Sequence, residues 1–378
     1  MFKLSLFNSF IRSFNMMLTF FLGIHFATIG LSGAQIGIIF ALYSIMNLIT
    51  IIPSGFFNDK IHSKTLILIA LILSGTRLLG YAYTTSFIPL AALSILGGMG
   101  TAIYKTSAES LFHKVSEKKE VSKKIAVYQG ILYTGMAGAM ILSGYLLEIN
   151  YTFNQLFKII GTLFILSGLL SIFILPKNDT IKLELLEYKK ELWQKKVIAF
   201  LTIIFIFSLH IGAEVTSYGL FLKEYLQLNS LQIGSYMGIA IFFMGITVIL
   251  IDKHLKKITP KLVVILGLLI SGIFHTIMIV KNPYLSFVFR TLHEIGDAAV
   301  FFAIYYIINN FFNLKRIGGL NAIQLLILNI GITIGSLIFG PIGEMYGYHI
   351  AMATGGLSIL LSLFVAIPYI NIITSEKE

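Results

Sequence analysis

From end to end, this chain repeats runs of about twenty apolar residues broken by short polar clusters. That length is what an α-helix needs to cross the ~30 Å hydrocarbon core of a bilayer. A helix also bonds its own backbone N–H and C=O groups, which hydrocarbon demands. Twelve spans are expected, at approximately 6–29, 35–57, 65–84, 88–110, 125–147, 153–175, 197–222, 231–251, 262–280, 284–312, 317–343 and 349–371. Charged residues are 12% of the 378, against 57% hydrophobic. A soluble domain carries about 25% charged residues, so the polar side chains here are too few to coat a water-facing surface. A sizeable soluble enzyme domain, a disulfide scaffold and a disordered regulator are excluded. The chain has no cysteine, which removes thiol catalysis, Cys-ligated metals and disulfides. The apolar stretch after Lys3 is too long for a cleaved leader and lacks a small-residue cleavage site, so it reads as the first span.

Orientation follows from the basic residues. With both termini inside, twenty-one Lys and Arg fall in cytoplasmic segments, including the clusters at 114–124, 177–196 and 253–261. Only Lys158, Lys223 and Lys281 fall outside, and Arg12, Arg77, Lys105 and Arg290 lie within spans. The net charge of +11 is therefore a topology signal facing anionic lipid head groups, and nucleic acid is not an expected partner. The longest break, Pro176 to Lys196, mixes Leu185, Leu186, Tyr188, Leu192 and the single Trp193 with charges. It reads either as a short surface helix or as a solvated linker.

The two sides of this break repeat each other. Leu31-Ser-Gly-Ala-Gln35-Ile-Gly37 precedes the second span and Leu228-Asn-Ser-Leu-Gln232-Ile-Gly234 the eighth, an offset of 197. Gly144 and Glu148 close the fifth span, and Gly340 and Glu344 the eleventh. Asp59-Lys60 and Asp252-Lys253 end the second and eighth. Matches in constant order at near-constant spacing indicate an internal duplication of six helices. The expected division is 1–175, a linker at 176–196, and 197–378. Six is even, so the halves run parallel, with a path at their interface.

The second span ends in Gly55-Phe-Phe-Asn-Asp59-Lys60-Ile-His62-Ser63-Lys64. This resembles the loop signature of the major facilitator superfamily, Gly-x-x-x-Asp-Arg/Lys-x-Gly-Arg-Arg/Lys. Gly55, Asp59, Lys60 and Lys64 match, while His62 replaces a glycine and Ser63 a basic residue. The second copy is reduced to Asp252 with Lys256 and Lys257. The resemblance extends over the whole chain in helix count, duplication and central loop. It implies an all-α fold of two pseudo-symmetric six-helix bundles and secondary transport by alternating access, without naming a substrate. Gly55 would let helices approach closely. Asp59 can pair with basic groups in one state and release them in the other, a few kcal/mol being enough for a bistable gate. Lys60, Lys64 and Asp252 are assigned to the same gate, although the lysines also read as topology signals alone.

Ionisable groups within hydrocarbon are costly, so each is a functional candidate. The tenth span carries Arg290, His293, Glu294 and Asp297 at three- and four-residue spacing, hence on one helical face. At ~1.5 Å per residue from Tyr284, Glu294 lies about 15 Å deep, near the mid-plane. Two carboxylates beside a histidine at that depth could hold a proton between them; a self-neutralised structural cluster is the alternative. His210 and Glu214 lie mid-span in the seventh helix, and Arg12 and Asn15 at similar depth in the first. In the resembled fold, helices 1, 4, 7 and 10 line the cavity, so these eight residues are expected to form one central substrate and proton site. Lys105 and Glu109, four apart, read as a snorkelling pair or a gate contribution. His25 and His275 read as packing residues, and Arg77 has no assigned role. Gly331, Gly335, Gly340-Pro341 and Gly343 in the eleventh span read mainly as helix packing. Gly340-Pro341 also resembles the Gly-Pro motif that the family's antiporters carry in their fifth helix, but the fifth span here has no proline.

No phosphate-binding Gly-x-x-x-x-Gly-Lys-Ser/Thr loop exists, and no paired-His or Cys metal spacing. No catalytic residue, cofactor or metal is expected. The expected function is proton-coupled transport of a small organic solute, foremost efflux of a drug or metabolite, by a monomer in the cell membrane. The alternatives are proton-coupled uptake of a sugar, organic anion or other nutrient, and a non-transporting receptor.

Overall fold

The computed structural model describes residues 1–19, 22–116, 120–149, 151–180, 185–254 and 259–374. Lys118, Lys119, Lys182, Lys256, Lys257 and Lys377, counted above among the basic loop residues, lie outside them. Fifteen α-helices and no strand occur among the described residues. They are α1 Phe2–Thr19, α2 Leu22–Thr28, α3 Gly33–Lys60, α4 Ser63–Tyr83, α5 Phe87–Val115, α6 Val121–Glu148, α7 Phe153–Ile174, α8 Leu185–Leu192, α9 Lys195–Ala213, α10 Ser230–His254, α11 Pro260–Ile277, α12 Pro283–Phe311, α13 Ile317–Tyr346, α14 Tyr348–Ala366 and α15 Ile370–Thr374. Among the described residues eleven helical segments are long and apolar enough to span a membrane, the first beginning at Ile38. The expected first span corresponds to α1 and α2. The seventh differs from expectation: α9 stops at Ala213 and continues as π-helical turns at Glu214–Tyr218 and Phe221–Tyr225. Such turns are rare and recur at functional sites.

The duplicated sequence now has a physical reading. Ser32 and Gln35 form a reciprocal capping box, with bonds of 3.0 and 3.3 Å. Asn229 and Gln232 form the same box at 2.9 and 2.8 Å. Each supplies partners for helix N-terminal N–H groups that would otherwise be orphaned. The repeat therefore marks the start of equivalent helices in the two bundles.

In the first bundle α1 packs on α6, α3 on α5, and α4 on α5 and α7. In the second α9 packs on α13 and α14, α10 on α12, and α11 on α12 and α14. The bundles meet along two main seams, α6 against α10 and α3 against α13. Glycines set the first: a side chain at Gly144 would meet the Ser230 carbonyl, and one at Gly234 the Met140 carbonyl. Glycines also close α9 on α13, where Gly212 and Gly335 face the partner backbone.

Candidate functional site

Three polar centres occupy this framework. The first joins the bundles at the lysine-rich face, where α3 ends and α13 begins. Asp59 is fully buried there. Its carboxylate accepts the Gly318 and Gly319 N–H groups at 3.0 and 2.8 Å, and the Tyr188 hydroxyl of α8 at 3.0 Å. The Lys114 ammonium of α5 lies 2.8 Å away and also donates to the Asn58 carbonyl at 2.5 Å. A carboxylate on the exposed N–H groups and positive dipole end of a helix is a favourable pairing. Burial and the adjacent Asp59 charge hold the Tyr188 hydroxyl protonated, its pKa raised well above the usual value. Arg316 and Glu191 tie α13 to α8 at 2.6 Å.

Of the expected gate residues, Gly55 and Asp59 sit in this clasp. A side chain at Gly55 would strike Ala322 and the Gly318 carbonyl. Gly55→Val is therefore expected to push α13 away from α3, at a cost of ~1–3 kcal/mol. The check is a cysteine at the buried position 325, which should become reactive to a maleimide. Glu109 accepts a bond from Asn321 of α13 at 3.3 Å and is also within electrostatic reach of Lys105. Lys64 donates to the Ile172 carbonyl at 2.7 Å within its own bundle. Lys60 is exposed, and Asp252 ends α10 outside the clasp. The two departures from the signature have a use. His62 bonds the Asn178 carbonyl at 2.9 Å, and the Ser63 N–H donates to the Asn178 side chain at 2.7 Å, fastening the linker to the first bundle. Lys114, Tyr188 and the Asn309–His113 bond of 2.8 Å carried no sequence signal; their partners lie far away in the chain.

The second centre is built inside the second bundle. His210 and Glu214 come from the seventh span, Ser271 and His275 from α11, and Arg290, His293, Glu294 and Asp297 from α12. Arg290 donates to both Glu214 and Glu294 and lies 4.3 Å over the Tyr218 ring. His210 Nδ1 donates to the Phe207 carbonyl at 2.5 Å, which turns Nε2 toward Asp297 Oδ2 at 3.2 Å. His293 Nδ1 donates to the Ser271 carbonyl at 3.1 Å, which turns its Nε2 toward Glu214 Oε1 at 3.3 Å. A carbonyl can only accept, so each Nδ1 carries a hydrogen in this network. In a neutral imidazole the other nitrogen is then a bare acceptor facing a carboxylate. Each Nε2–carboxylate contact therefore needs a further proton, on the ring or on the acid. Two such protons and the Arg290 guanidinium balance the three carboxylates. Ser271 Oγ donates to Asp297 at 2.5 Å. His275 stands 4.5 Å from the His293 ring and 5.4 Å from that of His210, with both nitrogens unbonded. It belongs to the centre rather than to plain packing. His25 does pack, against Phe153 and Phe157 at 5.0 Å.

Two sets of donor atoms here, His210–His293–Asp297 and Glu214–His275–His293, converge to within 4.8 Å. A divalent cation in the second would share Glu214 with the guanidinium of Arg290. The charge balance above is complete with protons alone.

The third centre is a cavity of about 280 Å³ between the bundles. Arg12 and Asn15 of α1 line it with Tyr43 and Asn47 of α3, Tyr104 and Lys105 of α5, and Asn329 of α13. Arg12 and Asn15 are thus not among the acids and histidines of the second bundle, and Lys105 faces the cavity. Arg77 lies behind it, 5.3 Å from the Tyr43 ring, in space left by Gly97. Tyr133 of α6 is within electrostatic reach of Arg12 and of both Glu294 and Asp297.

Comparison with known proteins agrees with this architecture. The sequence profile of the Major Facilitator Superfamily matches residues 4–262 and 216–377. The chain is 24% identical over 292 residues to the quinolone resistance protein NorA of Staphylococcus aureus, covering 73% of this chain and 74% of that one. It is similar in structure to a bacterial homologue of the iron transporter ferroportin in its outward-facing state, with a TM-score of 0.78, 15% identity, and 97% and 98% of the two chains covered. The human organic anion transporter MFSD10 (TETRAN) superposes with a TM-score of 0.67 at 16% identity, over 96% of this chain and 97% of that one.

Proposed function

This chain belongs to the major facilitator superfamily and is a membrane transporter of small molecules, not an enzyme, and on that premise we propose that it exports a drug-like or metabolite solute by proton-coupled alternating access. The observation that carries the reading is the combination of a polar cavity between the bundles with a buried cluster whose geometry requires two protons. Similarity to a quinolone resistance protein over three quarters of the chain supports a drug-like cargo.

The excess of lysine on one face supports assigning that face and both termini to the cytoplasm of a cell membrane. The bundles are 1–175 and 197–378, joined by 176–196, and the transporter works as a monomer with lipid, solute and protons as its partners. In the present state the Asp59 clasp closes the cytoplasmic side. Protons reaching His210, His293, Glu214 and Asp297 from outside neutralise the cluster. Their loss toward the cytoplasm in the opposite state leaves uncompensated carboxylates in hydrocarbon, which is costly. Protonation is thereby linked to which side is open.

The test is flux of a fluorescent quinolone in proteoliposomes with an imposed pH gradient. Glu214→Gln and Asp297→Asn are expected to abolish the stimulation by the gradient, while exchange without a gradient persists. Unchanged coupling in both variants and in the double variant would overturn the proton assignment.

A further inference from the structure

The membrane interior of this protein is electrically lopsided. In the first bundle Arg12, Arg77 and Lys105 stand against Glu109 alone, and in the second Arg290 stands against Glu214, Glu294 and Asp297. The second set is internally paired, and its protons complete the balance. The first is not. Glu109, four residues from Lys105 on α5, is within electrostatic reach of it but is also engaged by Asn321 of α13, and one acid cannot balance three cations. Arg12 and Lys105 both line the cavity, no acid does, and Arg77 backs it through the Tyr43 ring. Cations in excess of their counter-charge beneath hydrocarbon are costly, and Arg12 and Lys105 on one cavity repel each other.

Resting on the transport reading above, we propose that the solute is a small organic anion whose charged group sits between Arg12 and Lys105. The rest of the wall defines the body attached to that group. Ile11, Leu48, Leu71, Phe164 and Ile332 give it an apolar face, and Asn47 and Asn329 offer amides from opposite bundles. A volume of about 280 Å³ lies at the lower end of small-molecule sites, which fits one or two fused rings bearing a carboxylate, sulfonate or phosphate. An anion held by the first bundle and touched by α13 would also bridge the bundles, so its binding bears directly on whether they close over it.

Isothermal titration calorimetry on the full-length protein in detergent tests this with 2-naphthoate, 2-naphthalenesulfonate and 1-naphthyl phosphate. Their neutral and cationic counterparts, 2-naphthamide and 2-naphthylmethylammonium, serve as controls. At least one anion is expected to bind about tenfold or more tighter than both controls, as a charge-assisted bond to a guanidinium or ammonium allows. Arg12→Gln and Lys105→Gln should each lower that affinity about tenfold and erase the preference, while Arg12→Lys retains most of it. Failure of all three anions to bind overturns the inference, as do equal affinities for the controls or unchanged anion binding in both Gln variants. Quinolone flux in proteoliposomes is scored separately. Flux without anion preference removes the inference and leaves the transport reading; anion binding without flux of any bound solute does the reverse.

Discussion

Replacing Asp59 by alanine is expected to open the lysine-rich face. The carboxylate gathers four donors from three separate elements: two N–H groups at the start of α13, the Tyr188 hydroxyl and the Lys114 ammonium. Alanine removes all four bonds and leaves the ammonium buried without its counter-charge. Breaking a buried ion pair in this one-sided way costs about 3–5 kcal/mol. Two of the four bonds, those from the Gly318 and Gly319 N–H groups, cross from one bundle to the other, so their loss falls on this state and spares the state in which the face is open; the Lys114 pair lies within the first bundle and its loss weakens both states. At about 1.5 kcal/mol or more for each bond to a charged acceptor, the bias is about 3 kcal/mol and shifts such an equilibrium by a factor of about 100. The chain has no cysteine, so spin labels can be placed without a background. Labels at the exposed positions 60 and 315 should report a longer and broader separation in Asp59→Ala. Asp59→Asn should lie between that variant and the parent, since one amide oxygen still accepts. Identical distance distributions in all three proteins would show that the face is held shut by something else.

Arg290→Gln should produce the second large effect. The guanidinium bonds both Glu214 and Glu294, and Arg290 and Glu294 are buried. Its removal leaves Glu294 without its ionic partner and Glu214 with His293 alone. The expected loss is again about 3–5 kcal/mol, seen as a fall of several degrees in the thermal melting midpoint and as loss of coupled flux. Adding Glu214→Gln removes one stranded charge and should return part of the stability. The Arg290–Glu214 double-mutant cycle isolates this interaction. Additive losses would mean that the two groups do not compensate each other, and the charge balance proposed for the cluster would be wrong.

The two effects differ in what they disturb. Asp59 joins bundles, so its loss moves a conformational balance. Arg290 acts within one bundle, so its loss weakens the fold around the proton-holding residues. A variant that alters label distances without altering melting belongs to the first kind, and the reverse to the second.

How far the sequence reached depended on the range of each interaction. Hydropathy and backbone bonding act along the chain, so the spans, their helical form and the duplication were legible in it. Even the repeat at residues 31–37 and 228–234 is local chemistry, a capping box made twice. The spacing of Arg290, His293, Glu294 and Asp297 placed them on one helical face for the same reason, and the Gly55–Asp59 segment was recognisable from its pattern. The tertiary structure alone decided which helices meet. It put Ser271 and His275 of α11 beside the α12 acids, brought Lys114, Tyr188 and the start of α13 to Asp59, and separated Arg12 and Asn15 from the acids expected to join them. Depth in a membrane can be counted along a helix, but the direction a side chain faces across the bundle depends on residues hundreds of positions away, and no local period records it.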